Sequence, residues 1–179
     1  TSSTCLFLSL LYSPSWSETL TMDDLVYRDE LYYKKFTDVP FTGEITGKDQ
    51  GSFKDGKREG EWVGYHDNGQ LSYKGEYKNG ERVGEWVHYW DNGQFRDKVK
   101  YRKGLEVGEW VWYYDNGKLL EKGEYKNGSF EGEWVGYHDN GQLSYKGEYK
   151  NGERVGEWVY YNIDGTIESK KTYLKKSST

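Results

Sequence analysis

The sequence predicts an all-β fold: an elongated, single-layer antiparallel sheet of repeated β-hairpins in 24-residue units. Three observations predict it. Gly-Glu-Trp recurs at residues 60–62, 84–86, 108–110, 132–134 and 156–158, the fixed period that marks a repeat architecture. Each unit carries two turn signals, Asn68-Gly69 and Asn79-Gly80 in the first, whose residues tolerate the positive φ of tight hairpin turns. Between those turns Leu71, Tyr73, Gly75 and Tyr77 alternate with Ser72, Lys74, Glu76 and Lys78, the pattern of a half-buried antiparallel strand.

The partner strand runs from Glu61 to His66. A two-residue loop at Asn68-Gly69 sets Trp62 across from Gly75, Gly64 across from Tyr73 and His66 across from Leu71, with room over Gly75 for the indole to lie flat. Hairpins stacked edge to edge repeat about every 10 Å. The five Trp and Tyr77, Tyr101, Tyr125, Tyr149 and Tyr173 then form two ladders along the array. With no second layer above them, neighbouring rings cover one another and leave an aromatic strip.

Composition agrees. Leu, Ile, Val and Phe total only 33 of 179 residues, whereas Tyr and Trp number 18 and 8, so this chain buries aromatic rather than aliphatic surface. The 23 Gly and two Pro favour strands joined by tight turns.

In chain order, residues 1–19 read as a truncated signal peptide. Cys5 to Tyr12 is the one sustained apolar run, too short to span a bilayer, and Ser15-Trp16-Ser17 supplies a small-x-small cleavage pattern. Export follows from that reading; a start at Met22 would instead keep the protein in the cytoplasm. Residues 22–59 are degenerate N-terminal capping hairpins, residues 60–174 the array with units starting at 60, 84, 108, 132 and 156, and residues 175–179 a disordered tail. Residues 60–87 and 132–159 are identical, which points to duplication of a three-unit block.

The stretch from Tyr73 to Trp86, Tyr-Lys-Gly-Glu-Tyr-Lys-Asn-Gly-Glu-Arg-Val-Gly-Glu-Trp, resembles the MORN repeat. The longer unit with Gly-x-Trp and Asn-Gly-x-Leu is similar to the bacterial MORN variant of YwqK-type antitoxin-like proteins, and the resemblance covers residues 41–174. It implies a β-hairpin array that serves as a binding scaffold, with toxin neutralisation by occlusion or peripheral phospholipid attachment as roles. Lys171 where Gly75 sits, and Asp164-Gly165 for Asn-Gly, mark the last unit as a cap.

The sequence holds no catalytic constellation, so the expected function is non-enzymatic, without cofactor or metal. His66 and His138 occupy identical positions in duplicated units, whereas a catalytic His is needed once beside its partners. Asp67-Asn68-Gly69 and its repeats supply one Asp per unit, too few oxygen ligands for calcium. One cysteine excludes a disulfide framework and a cysteine-ligated zinc site. A net charge of -5 argues against nucleic acid.

Two features suit binding. The position two residues after each Trp reads Gly64, His88, Trp112, Gly136 and Tyr160, so it varies where core positions repeat. With their neighbours, Trp86, His88, Trp90, Trp110, Trp112 and Tyr114 form the expected aromatic contact surface for a protein partner. The alternative is an anionic phospholipid contact through the basic row Arg96, Lys98, Lys100 and Arg102.

Overall fold

A computed structural model describes residues 19–174. The export reading of the first residues and the expected tail at 175–179 lie outside the described residues. Strands β1 (Leu25–Arg28) and β2 (Leu31–Lys34) form a hairpin of their own. The other strands are β3 (Gly43–Ile45), β4 (Asp49–Lys54), β5 (Lys57–Tyr65), β6 (Leu71–Lys78), β7 (Glu81–Tyr89), β8 (Phe95–Arg102) and β9 (Leu105–Tyr113), then β10 (Leu119–Lys126), β11 (Ser129–Tyr137), β12 (Leu143–Lys150), β13 (Glu153–Tyr161) and β14 (Ile167–Tyr173). These twelve make one antiparallel sheet in strict sequence order, as the repeat predicts. The β3 edge is partly covered, because Leu20 bridges Ile45 and its carbonyl accepts from the Thr46 N–H at 2.8 Å.

The two turns of each unit differ. Asn79-Gly80 is a two-residue loop between the paired Lys78 and Glu81, with φ of 51° and 85°, as a type I′ turn requires. The Asn68-Gly69 turn is longer than expected. Tyr65, not His66, pairs near its mouth with Leu71, and the His66 N–H reaches the Gln70 carbonyl at 2.8 Å. Gly64 still pairs with Tyr73 and Trp62 with Gly75, so Ser72 is an extra residue between two pairs, a β-bulge. The bulge moves Leu71 and its equivalents to the face opposite Tyr73. There Phe95 packs its ring 6.3 Å from Tyr89 and 5.3 Å from Tyr113.

A second irregularity sets the core. Ser52 pairs with Glu59 and Gln50 with Val63, so Gly60, Glu61 and Trp62 stand opposite the single residue Gly51. Gly60 takes φ of 70° to make this step, and Gly84, Gly108, Gly132 and Gly156 repeat it. The step tips four of the five indoles, those of Trp62, Trp86, Trp134 and Trp158, back over a glycine of the preceding hairpin. Trp62 lies over Gly51 and Trp86 over Gly75, where a Cβ would stand 2.2 Å from the Trp86 ring. The predicted pairing of Trp62 with Gly75 holds, but the ring that fills the space above Gly75 belongs to the next unit.

This seating buries four of the five ladder Trp in a sheet that has no second layer over them among the described residues. Trp62, Trp86 and Trp158 are fully buried and Trp134 is 2% exposed. The Tyr ladder fills the gaps, with Tyr77 5.7 Å from Trp62 and 4.9 Å from Trp86, both edge-on. Phe53 closes the N-terminal end against Trp62 at 5.1 Å. The opposite face carries Val63, Val87, Val111, Val135 and Val159, each paired with a Lys.

Candidate functional site

Each regular unit roofs its Trp with an arginine four residues earlier. The guanidinium of Arg58 stands 4.6 Å over the Trp62 ring, and those of Arg82 and Arg154 stand 4.4 Å over Trp86 and Trp158. Arg58 donates to the Tyr77 hydroxyl at 2.9 Å and Arg82 to that of Tyr101 at 3.1 Å, tying each roof to the next strand. Three indoles donate Nε1–H to a carbonyl of the preceding hairpin: Trp62 to Ser52, Trp86 to Glu76 and Trp158 to Glu148.

The unit at Trp110 breaks both halves of this rule. Val99 occupies the glycine position, so the indole has no flat seat behind it, and Glu106 replaces the arginine. Trp110 leans forward instead, 5.3 Å from Trp134 and 5.7 Å from Trp112, and stays partly exposed. In the following unit Phe130 takes the arginine position and packs 4.3 Å from Trp134. The indole N–H groups of Trp112 and Trp134 are buried without a hydrogen-bond partner.

The variable position after each Trp is part of a polar row across the same face. Gly64 lets the Tyr73 ring lie across it, since a Cβ there would meet the ring at 2.0 Å, and the Tyr73 hydroxyl donates to Asp49. Gly136 does the same for Tyr145, which donates to Glu121. His88 pairs with Asp97 directly, Nδ1 to carboxylate at 2.7 Å, and the Arg96 Nε donates to the same carboxylate at 2.7 Å. Burial raises the Asp97 pKa, but these two bonds outweigh it and hold the group below the ordinary range. Burial holds Glu121 above its ordinary value, with the Tyr145 bond opposing.

The six residues expected to form a partner surface therefore divide. Trp86 is fully buried and presents no surface, because Gly75 seats it and Arg82 roofs it. His88 is engaged with Asp97. Trp90 and Tyr114 lie just beyond their strands and brace the array: the Trp90 Nε1 donates to the Tyr113 carbonyl at 3.0 Å and the Tyr114 hydroxyl to that of Tyr137 at 2.8 Å. His66 and His138 occupy the same position and reach the Tyr89 and Tyr161 carbonyls at 2.9 Å through Nε2, which therefore carries the proton. Trp110 and Trp112 remain as partly exposed rings in mutual contact.

The basic row divides too. Arg96 sits at the bulge and turns to Asp97, and the exposed Lys98 pairs with Glu85 at 3.1 Å, leaving Lys100 and Arg102 as the exposed members outside these ion pairs. Their face also sets glutamates directly opposite each other, Glu61 with Glu76, Glu109 with Glu124 and Glu133 with Glu148. Sequence reading missed the arginine roof, although the spacing from Arg to Trp repeats in three units. Among the described residues no group of three His, Cys, Asp or Glu side chains could hold a metal ion, and no helix is long and apolar enough to cross a membrane.

The fold and its ring face define a non-globular hairpin-repeat array. The model of the MORN repeat variant matches residues 58–79, 106–127 and 130–151. These three stretches share one 24-residue phase, and each contains the glycine, Gly75, Gly123 or Gly147, that seats the next Trp. The unit between the first two stretches carries Val99 there, and the unit after the third carries Lys171. No curated protein matches the chain.

Proposed function

We propose that this chain is a non-enzymatic MORN-type scaffold that binds a protein partner through the ring face at its third unit, around Trp110 and Trp112. The observation that carries this reading is the local break in an otherwise regular core. Four of the five repeat Trp are sealed by the same seat, and only Trp110 is left partly open. A rigid sheet holds Trp110, Trp112 and Tyr125 in place, so docking onto them costs little side-chain ordering. Neutralising a toxin by covering it, the role implied by the antitoxin-like resemblance, is one form of such binding. Phospholipid attachment has the weaker support, since two of its four basic residues are engaged in ion pairs and glutamate pairs share the face.

The test is affinity capture from an extract of the source organism, membranes retained, with the full chain as bait. Trp112→Ala serves as the comparison, with its melting temperature measured alongside. A stoichiometric protein held by the wild type and lost with folded Trp112→Ala supports the reading. Retention by both baits, or recovery of lipid alone that Lys100→Ala abolishes, overturns it.

A further inference from the structure

On the ring face, one row runs along the sheet through successive strands. Its pairs are Tyr77 with Arg82, Tyr101 with Glu106, Tyr125 with Phe130 and Tyr149 with Arg154. Arginine holds this place in three of the five units, as Arg58, Arg82 and Arg154, and each one lies against a Trp ring and bonds a tyrosine hydroxyl of a neighbouring strand. Arg154, for example, donates to Tyr149 at 3.3 Å and Tyr173 at 3.4 Å. Glu106 reverses the charge at one place, between Tyr101 and Tyr125.

A shallow depression opens there, lined by Glu106, Tyr125, Ser129, Phe130 and the turn glycines Gly128 and Gly152. The Tyr125 and Phe130 rings stand 5.0 Å apart at 59°, and Trp110 meets Tyr125 edge-on at 6.1 Å. Glu106 is the one charged side chain in this lining. Burial first, and then Glu106 ahead of Tyr101, Glu121 and Asp97, push the Tyr125 hydroxyl up to about 12. The nearest arginine along the row, Arg82, is engaged with Trp86 and Tyr101.

We propose that this depression receives an arginine side chain of the partner protein, its guanidinium against the Glu106 carboxylate and beside the Tyr125 and Phe130 rings. The array itself shows the chemistry: a guanidinium over an aromatic ring, bonded to tyrosine oxygens, recurs wherever the row supplies its own arginine. Here the row supplies the carboxylate and the rings, and the cation comes from outside. Arginine suits the site better than lysine because its planar head stacks on rings while its N–H fork meets the carboxylate. The inference rests on the protein-binding reading and names the chemistry of its contact.

The experiment is an NMR titration of the full chain with the tripeptide acetyl-Gly-Arg-Gly-amide, following the indole N–H of Trp110 and the ring signals of Tyr125. The control is the same peptide with citrulline, which keeps the shape and removes the charge. Glu106→Arg supplies the residue found in three other units, so it is expected to fold, and its melting temperature is measured beside the wild type. The expected result is saturable binding of the arginine peptide, roughly tenfold weaker for citrulline, and lost in Glu106→Arg and Glu106→Gln. No saturable shift, equal binding of citrulline, or binding that survives Glu106→Arg overturns the inference. If the captured partner is still held by Glu106→Arg, the arginine contact fails while the binding face stands; loss of the partner in Trp112→Ala but not in Glu106→Arg separates the two in the same way.

Discussion

The Trp86 indole lies over Gly75 of the preceding hairpin, so close that a methyl group at 75 would stand 2.2 Å from the ring. Trp62 over Gly51, Trp134 over Gly123 and Trp158 over Gly147 repeat the relationship. The array is held unit to unit by this overlap as well as by strand pairing. Gly75→Ala is therefore expected to destabilise the chain by about 1–3 kcal/mol through overpacking. Urea denaturation checks it, with Gly69→Ala, at an open turn position, separating the steric cost from the cost of a positive φ.

Val99 explains the lean of Trp110. Val99→Gly opens the seat, and the expected outcome is an indole that lies back and becomes shielded. Acrylamide quenching of the total Trp emission should fall in this variant. Unchanged quenching would mean that Glu106 or Trp112, and not Val99, sets the ring's position.

The arginine roofs contribute through geometry as well as charge. Arg82→Ala is expected to cost about 0.5–2 kcal/mol, the range for a partly desolvated cation over an aromatic face. Arg82→Lys should recover little of it, since an ammonium cannot both stack on Trp86 and reach the Tyr101 hydroxyl as the guanidinium does. Thermal denaturation of the two variants beside the wild type tests the order.

Two carboxylates on one row, Asp97 buried and Glu121 half-buried, respond to pH with opposite sign. The folded Asp97 pKa lies below its ordinary value of 3.8, so its bonds to His88 and Arg96 stabilise fully above that value and are lost as pH falls through the folded pKa. Asp97→Asn should therefore destabilise at neutral pH and flatten the acid limb of the stability curve. The folded Glu121 pKa lies above its ordinary 4.5, so ionisation weakens the fold as pH rises through that higher value. Glu121→Gln keeps an acceptor for Tyr145 and should match the wild type below the ordinary pKa while exceeding it at neutral pH. Denaturation midpoints from pH 3 to 8 give both signs.

Period, strand order and the Trp62–Gly75 and Gly64–Tyr73 registers were legible because a repeated pattern of turns and alternation leaves few arrangements. The direction of the Trp side chains was not. It depends on the step at Gly60, where three residues of β5 stand opposite one residue of β4 while the pairing with β6 runs on, and no local alternation records that bulge. The bulge at Ser72 was hidden for a related reason: lengthening the turn and adding one residue to β6 leave the Trp62 register unchanged, while Leu71 crosses to the other face. Of the candidate surface, Trp110 and Trp112 stand partly open. Trp86 does not, because its burial depends on Gly75 and Arg82, 11 and 4 residues away in sequence. The variable residues Gly64 and His88 read as a surface signal, yet each matches the side chain opposite it, Tyr73 or Asp97.

The most direct test is the solvent accessibility of individual tryptophans in the free protein, read by fluorine NMR of the 5-fluorotryptophan-labelled chain with a soluble paramagnetic agent, each signal assigned by single Trp→Phe replacement. The account predicts that Trp62, Trp86, Trp134 and Trp158 are protected while Trp110 is broadened. Protection of Trp110 equal to that of Trp86 would contradict it, since no opening would then exist at the third unit for a partner to use.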